Sequence, residues 1–222
     1  MTAVQSTKTT LTSSERNQTR LSIRRWLPSV LWIAAAALLI TSISSPYWGM
    51  VLEAPQYPGG LEMRVFVNYM TGDEDPRRDE VREIDGLNHY IGMKSLFEAA
   101  QFERSVALPA VFGMAALLVL AALWRRKWLW LLTVPAALFP FAYLGDLALW
   151  LTYYGHSLDP YAPLSSAIEP FTPPILGEGI IGQFRTVASV HTGWFLAAGA
   201  SICIIAAIVF RLIDQRRASA QG

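Results

Sequence analysis

Residues 105–124 read SVALPAVFGMAALLVLAALW, and this uncharged stretch decides the architecture of the chain. About 20 consecutive apolar residues are long enough to cross a bilayer as a helix. Three further stretches of similar character occupy residues 27–45, 128–153 and 190–210. Each is expected to be an α-helix, because lipid offers the backbone no hydrogen-bond partners. The sequence therefore predicts an all-α membrane protein with four transmembrane helices.

The chain carries a net charge of +1, but its charges are unevenly distributed. Four spans place both termini and the Arg125–Lys127 turn on one side, which holds 11 of the 18 Lys and Arg residues and only two acids. The other side holds seven Lys and Arg residues and 14 acids. Because Lys and Arg are enriched on the cytoplasmic side, we expect a multi-pass protein of a bacterial cytoplasmic membrane with both termini inside.

The polar segments define the predicted domain organisation. Residues 1–26 form a Ser- and Thr-rich tail expected to be disordered, and residues 211–222 form a second cytoplasmic tail. Residues 46–104 should form a small α+β extracytoplasmic subdomain, and residues 154–189 an extracytoplasmic loop. The basic residues before the first span resemble a signal peptide, but the length of the apolar run favours an uncleaved anchor.

Alternation and spacing predict elements within the outer subdomain. Residues 61–70 alternate apolar and polar side chains, which is typical of a half-buried strand. A turn at residues 71–76 and a charged stretch at 77–85 follow, and residues 88–102 have helical spacing. We expect one hairpin and a short helix, packed on the outer helix ends or on a partner, because an isolated hairpin is marginally stable in water.

His89 and Met93 are the first candidate binding pair. A spacing of four residues would place both on one helix face, and imidazole with thioether suits copper, with thioether favouring Cu(I). Met63 and Met70 lie nearby in sequence. The alternative is that Met93 is a core residue and His89 a hydrogen-bonded structural residue.

The other two histidines fall on the same predicted side or at its membrane boundary. They are His156 and His191, and His191 opens the fourth span. With His89 they could converge on one metal or haem. The alternative is that His191 caps its helix or contacts lipid headgroups.

Asp146 is the one acidic residue predicted inside a span. A charged side chain in lipid costs roughly 2.5–3.5 kcal/mol on insertion scales, so Asp146 should face the bundle, where Tyr143 and Trp150 share its helix face. Arg185 and His191 are its candidate partners. A cofactor, proton or quinone site formed by Asp146, Tyr143 and Arg185 is one interpretation, and a structural ion pair or hydrogen bond is the other.

Several function classes are disfavoured. The only cysteine, Cys203, rules out a disulfide framework and Cys-based metal motifs. Gly177–Gly182 matches G-x-G-x-x-G, but Pro173 and Pro174 precede it instead of a strand, so a dinucleotide site is rejected. We expect these glycines to permit a tight entry into the fourth span, with Glu178 facing Arg185. No familiar hydrolase motif occurs, and the outer side is too acidic for nucleic acid.

Three stretches resemble a known family: residues 54–61 (APQYPGGL), 86–94 (GLNHYIGMK) and 179–184 (GIIGQF), together with His191. The family comprises small bacterial multispanning proteins that accompany nitrous-oxide reductase gene clusters and other copper-delivery systems. The similarity covers most of residues 46–195. It implies a respiratory or copper-maturation accessory role, with His89, Met93 and His191 as binding residues.

Three functions remain open from the sequence. The first is an accessory protein that binds copper, or a copper or haem metalloprotein partner, at its outer subdomain. The second is a membrane redox or transport subunit with a quinone, proton or haem site near Asp146 and His191. The third is a structural subunit of a membrane complex.

Overall fold

The computed structural model describes residues 13–73, 79–124, 126 and 128–219. The helices are α1 (Ser13–Ser42), α2 (Glu80–Ile91), α3 (Gln101–Leu123), a 3-10 helix (Leu129–Thr133), α4 (Val134–His156) and α5 (Thr192–Ser219). The strands are β1 (Trp48–Ala54), β2 (Tyr57–Val65), β3 (Met70–Thr71), β4 (Gly177–Ile181) and β5 (Phe184–Val190). The chain is therefore mainly helical with a small sheet.

Three helical segments in the described part of the chain are long and apolar enough to cross a membrane: Gln101–Leu123, Leu129–His156 and Thr192–Arg217. They correspond to the second, third and fourth predicted spans. The apolar part of α1, Trp26–Ser42, is shorter. Three apolar helices of this length indicate a multi-pass membrane protein.

α1 lies at the centre of the helix bundle. It packs against α3 on one side and α5 on the other, and α4 packs against α5. Trp32 and Leu39 of α1 are fully buried, and α5 contributes several alanines to the same core. Small residues let helix backbones approach closely, so the tight contact between α1 and α5 follows from these alanines.

The five strands form one antiparallel sheet in the order β3-β2-β1-β5-β4. β1 follows α1 along the chain, and β5 runs directly into α5. β1 and β5 are neighbours in the sheet, with Trp48 opposite Val190 and Gly49 opposite Ser189. The sheet therefore covers one end of the bundle and is built from two distant segments. The prediction of a subdomain between the first two spans alone is wrong, because residues 154–189, predicted as a loop, supply β4 and β5.

The alternation in residues 61–65 produces the predicted strand. Leu61 and Met63 are buried in the cluster beneath the sheet, whereas Glu62 and Arg64 point to the other face and form a salt bridge at 2.6 Å. The strand ends at Val65, because the chain turns at residues 66–69 before β3. The predicted strand over residues 61–70 is thus divided into β2 and β3.

α2 is shorter and earlier than the helical spacing predicted. Asp79 caps its first turn by accepting a hydrogen bond from the Arg82 N–H at 3.2 Å. Gly92 ends it in the left-handed conformation, with φ of +84°. The predicted helix over residues 88–102 is therefore wrong, because Gly92 stops α2 before α3 begins at Gln101.

Two predicted segments at the chain ends also differ. Residues 13–26 of the predicted disordered tail belong to α1, and residues 1–12 lie outside the described residues. Most of the predicted C-terminal tail continues α5 to Ser219. The turn predicted at residues 71–76 lies partly in the undescribed residues 74–78.

Candidate functional site

A cavity of about 360 Å³ lies where α3 and α4 meet the inner face of the sheet. α3 and α4 have few contacts with each other, although each packs against another helix of the bundle. Val106 and Ala110 of α3 and Ala142 of α4 line the cavity and remain exposed. The cavity therefore opens sideways, between two helices that are candidates for crossing the membrane.

The cavity exists because α3 presents small side chains towards it. Ala107 and Ala110 lie one turn apart along its wall, and Ala142 faces them from α4. Alanines at these positions leave the space between the two helix surfaces unfilled. The sheet closes the cavity from above with Trp48, Met63 and Val65.

One face of α4 forms the polar wall of the cavity. Tyr143, Asp146, Trp150 and Tyr154 recur every three or four residues and all line the cavity. The Trp150 and Tyr154 rings stack with their centroids 5.3 Å apart. Asp146 and Tyr143, two of the three residues predicted for a cofactor site, therefore lie on the same wall.

Two carboxylates line the cavity beside Trp150. The Trp150 Nε1–H donates to Glu103 Oε1 at 3.2 Å, and Asp146 lies one helical turn before Trp150 on the face of α4 that lines the cavity. Neither carboxylate forms a salt bridge with a residue in the described part of the chain.

The two cationic residues of the cavity wall form no salt bridge with these carboxylates. The guanidinium of Arg104 donates to the carbonyl oxygens of Asn68 at 3.4 Å and of Phe97 at 3.3 Å. Lys94 is exposed to solvent at the rim. The charges at this end of the cavity are thus mixed, but the two carboxylates are not paired with the two cations.

The hydroxyl of Tyr143 is a buried polar group without a hydrogen-bond partner among the described residues. The Tyr143 ring packs on Tyr47, with centroids 4.9 Å apart. A buried hydroxyl left without a partner costs about 1–3 kcal/mol. A ligand that hydrogen-bonds to Tyr143 would remove this cost.

The predicted His89–Met93 pair is separated by the end of α2. His89 is exposed near the C-terminus of the helix, and its ring contacts only that of Tyr90, at 6.4 Å between centroids. Met93 follows the turn at Gly92, where its N–H donates to Asn88 O at 2.9 Å, and its side chain lines the cavity. The expectation of one shared helix face is wrong, because the left-handed turn redirects the chain.

Met93 instead shares the cavity with two other methionines. Met63 from β2 and Met70 from β3 line the same wall. These are the two residues that lie near His89 in sequence, so the fold groups thioethers rather than a histidine with a thioether.

His191 lies on the opposite face of the sheet from the cavity. Its imidazole covers Gly49, where a Cβ would be 2.5 Å from Nε2, and that nitrogen is 3.5 Å from Ser189 Oγ. Trp48 lines the cavity, and neighbouring residues of a strand point to opposite faces. His191 is therefore not available to the cavity through the sheet.

His156 ends α4, where its Nδ1 is 2.9 Å from the carbonyl oxygen of Thr152. The three histidines, His89, His156 and His191, do not converge on one point. In the described part of the chain no group of three or more His, Cys, Asp or Glu side chains is arranged to hold a metal ion.

Arg185 lies on the outer face of the sheet, away from Asp146. It forms salt bridges with Glu178 at 2.7 Å and Glu53 at 3.0 Å. Hydrogen bonds to Glu178 and then Glu53 raise the pKa of the Arg185 guanidinium above its ordinary value. The expected contact between Glu178 and Arg185 is present, but it joins neighbouring strands of a hairpin and not the entry to a helix.

The sequence contained a signal for part of this site. The spacing of Tyr143, Asp146 and Trp150 identified the correct face of α4. Glu103 and Arg104 gave no signal, because they precede the predicted second span and reach the cavity only through the packing of α3 against the sheet. Comparison with protein-family models and with curated protein sequences gave no match.

Proposed function

We propose that this chain is a four-span membrane protein whose cavity between α3, α4 and the sheet binds a lipid-soluble ligand. The observation that carries this proposal is the sideways opening of the cavity between two apolar helices, with buried polar groups at one end. This arrangement develops the second hypothesis from the sequence, a membrane site near Asp146, and leaves His191 and Arg185 out of it.

The position of α1 supports a fourth span. Near the start of its apolar part, Trp26–Ser42, Ser29 donates to the carbonyl oxygen of Ala122, at the end of α3, at 2.8 Å. Beyond its other end the Pro46 carbonyl accepts a hydrogen bond from Gly193, at the start of α5, at 2.8 Å. α1 runs alongside two helices that are long enough to cross a membrane. Its apolar part, the 17 residues of Trp26–Ser42, would therefore cross the same bilayer.

The charge distribution supports an orientation with the sheet outside. The end of the bundle that is away from the sheet carries Arg126, whose carbonyl oxygen accepts a hydrogen bond from Arg211 at 3.3 Å, and the last turn of α5 with Arg216 and Arg217. The sheet end carries most of the acids. The positive-inside tendency favours a cytoplasmic position for the basic end, and we place the protein in a bacterial cytoplasmic membrane.

The chemistry of the cavity favours an amphipathic ligand that enters from the bilayer. Phe139 and Ala110 belong to the apolar part of the cavity that is farther from the sheet. Glu103, Arg104 and Asp146 lie at the sheet end. Ligand sites are typically apolar concavities with a few polar groups that orient the molecule. A molecule with an apolar body and a polar head would place the head beneath the sheet.

Filling the cavity tests this function. We expect Ala107→Phe to weaken binding of the neutral fluorophore diphenylhexatriene by tenfold or more, because the new ring occupies the ligand volume. Binding is measured in lipid nanodiscs as energy transfer from the protein's tryptophans. The matched control is Ala116→Phe, on an exposed part of α3 that does not line the cavity. Equal transfer in wild type and both variants would reject the cavity as a binding site.

A copper role is the second candidate, and the presence of Met63, Met70 and Met93 in the lining of one cavity favours it. Thioethers suit Cu(I), and an accessory protein for a copper or haem metalloprotein partner would use such a site. Titration of purified protein against a chromogenic Cu(I) chelator tests it, with Met93→Ala expected to weaken binding at least tenfold. The result for His89→Ala decides whether histidine takes part, and no competition by wild type would contradict the copper role.

A further inference from the structure

We infer that the ligand of the cavity is an organic cation with an apolar body. This inference rests on the proposed function, since it names the chemical class that the cavity would take. Its basis is the pair of carboxylates, the separate engagement of the nearby cations, and the aromatic lining with a buried hydroxyl left unpaired.

Two carboxylates face the cavity from α3 and α4. Glu103 and Asp146 both line the cavity and flank the Trp150 indole, which donates to Glu103. Neither forms a salt bridge within the described residues. A charge out of water is costly unless it is paired, so a cationic ligand head supplies what this wall lacks.

The cationic side chains facing the cavity do not supply it. Arg104 uses its guanidinium on the backbone carbonyl oxygens of Asn68 and Phe97. Lys94 is exposed at the rim, where water screens its charge. An anionic ligand head would therefore lie beside two carboxylates that no Lys or Arg of the described residues pairs with in a salt bridge.

The rest of the lining suits a cation as well. Trp150, Tyr154 and Phe139 line the cavity, and aromatic faces attract cations within about 6 Å of the ring centroid. The buried Tyr143 hydroxyl, which has no partner among the described residues, can accept a hydrogen bond from an ammonium N–H. A neutral ligand would use the aromatic surface but leave the carboxylates unpaired.

Three related probes test the charge of the ligand. They are neutral diphenylhexatriene, its trimethylammonium derivative and its propionate derivative, each measured with nanodiscs of zwitterionic lipid by tryptophan energy transfer. We expect the cationic probe to bind at least tenfold more tightly than the neutral one and the anionic probe to bind most weakly. Equal binding of the cationic and neutral probes would overturn the inference.

Charge-removing variants assign the preference to the cavity. The double change Glu103→Gln and Asp146→Asn should abolish the cationic preference, so that the cationic and neutral probes bind this variant with affinities within about twofold of each other. Glu98→Gln is the control, since Glu98 is an exposed acid outside the cavity. A cationic preference that persists in the double variant would contradict the inference, whereas absence of binding by every probe would reject the proposed function itself.

Discussion

At the scale of single residues, close backbone contacts join the helices to the sheet. Gly193, in the first turn of α5, donates to the Pro46 carbonyl oxygen at 2.8 Å. A Cβ on Gly193 would lie 2.5 Å from the Ser45 carbonyl oxygen and 2.9 Å from that of Pro46. Only glycine permits this approach, which sets the distance between the start of α5 and the segment that links α1 to β1.

Gly193→Ala should destabilise the protein by about 1–3 kcal/mol, because overpacking against backbone atoms forces the segments apart. Gly86→Ala is the matched control, since no atom lies within 4 Å of the added Cβ and α2 gains helix propensity. Thermal unfolding in detergent measures both. A melting temperature for Gly193→Ala equal to that of wild type would show that the contact yields without cost.

Tyr47 makes the stability depend on alkaline pH. Burial, only partly offset by the hydrogen bond with Ser42 Oγ at 2.5 Å, raises its pKa from 10.0 to about 12. As the pH rises, Tyr47 therefore loses its proton in the unfolded chain before it does so in the folded protein. The free energy of unfolding falls by about 2–3 kcal/mol between pH 10 and 12, and Tyr47 makes it depend little on pH below that range.

Tyr47→Phe should reduce this alkaline loss of stability, although at neutral pH it costs about 0.5–1.5 kcal/mol for the lost hydrogen bond. The comparison is made by chemical unfolding at pH 8, 10 and 11.5. Parallel pH dependence in the two proteins would contradict the buried, neutral state of Tyr47.

At the scale of elements, a buried glutamate holds α2 against the sheet. Glu80 is 5% exposed, and its Oε2 accepts the backbone N–H groups of Glu62 and Asp73, each at 3.0 Å. Val81 and Ile84 bury the apolar side of α2 beneath the sheet. The helix is thus positioned by one carboxylate and one apolar stripe, next to the cavity wall that contains Met93.

Glu80→Ala should destabilise the packing of α2 by about 1–3 kcal/mol, because two partly buried N–H donors lose their acceptor. Hydrogen exchange at residues 62 and 73 should increase together. Glu80→Gln keeps a side-chain acceptor and should cost less. Equal exchange in the Ala and Gln variants would mean that the carboxylate does not hold these two amides.

At the scale of the whole molecule, the sheet connects α1 with α5. β1 continues from α1 and β5 continues into α5, so the pairing of Trp48 with Val190 joins segments about 140 residues apart. The same pairing positions Trp48, which closes the cavity from the sheet side and forms its roof. The orientation of the molecule decides whether this roof lies outside the cell.

Labelling with a membrane-impermeant maleimide tests the orientation in a Cys203→Ala background. The two labelling variants are Gly86→Cys and Ser219→Cys. Gly86 is an exposed residue of α2, and Ser219 is the exposed last residue of α5. We expect the first to react in intact spheroplasts and the second only after lysis. The reverse pattern would invert the proposed topology.

Local patterns predicted the local elements well. The apolar stretches that became α3, α4 and α5 need only residue composition and length, and the alternation at residues 61–65 needs only its period of two. The prediction of a helix over residues 88–102 is wrong for an equally local reason. The apolar spacing there is helical, but Gly92 ends α2 in the left-handed conformation. The β4–β5 hairpin was missed because the glycines of residues 177–182 obscured any alternation.

The sequence by itself determined that the chain is mostly apolar helix, where the charges lie and which face of α4 carries Asp146, because hydrophobicity and helical period are properties of neighbouring residues. Only the tertiary structure decided that β1 pairs with β5, that Glu103 and Asp146 line one cavity, and that Met93 lines it with Met63 and Met70 while His89 and His191 lie elsewhere. These outcomes depend on which distant surfaces pack together and on where one left-handed glycine turns the chain, and neither follows from the spacing of residues along it.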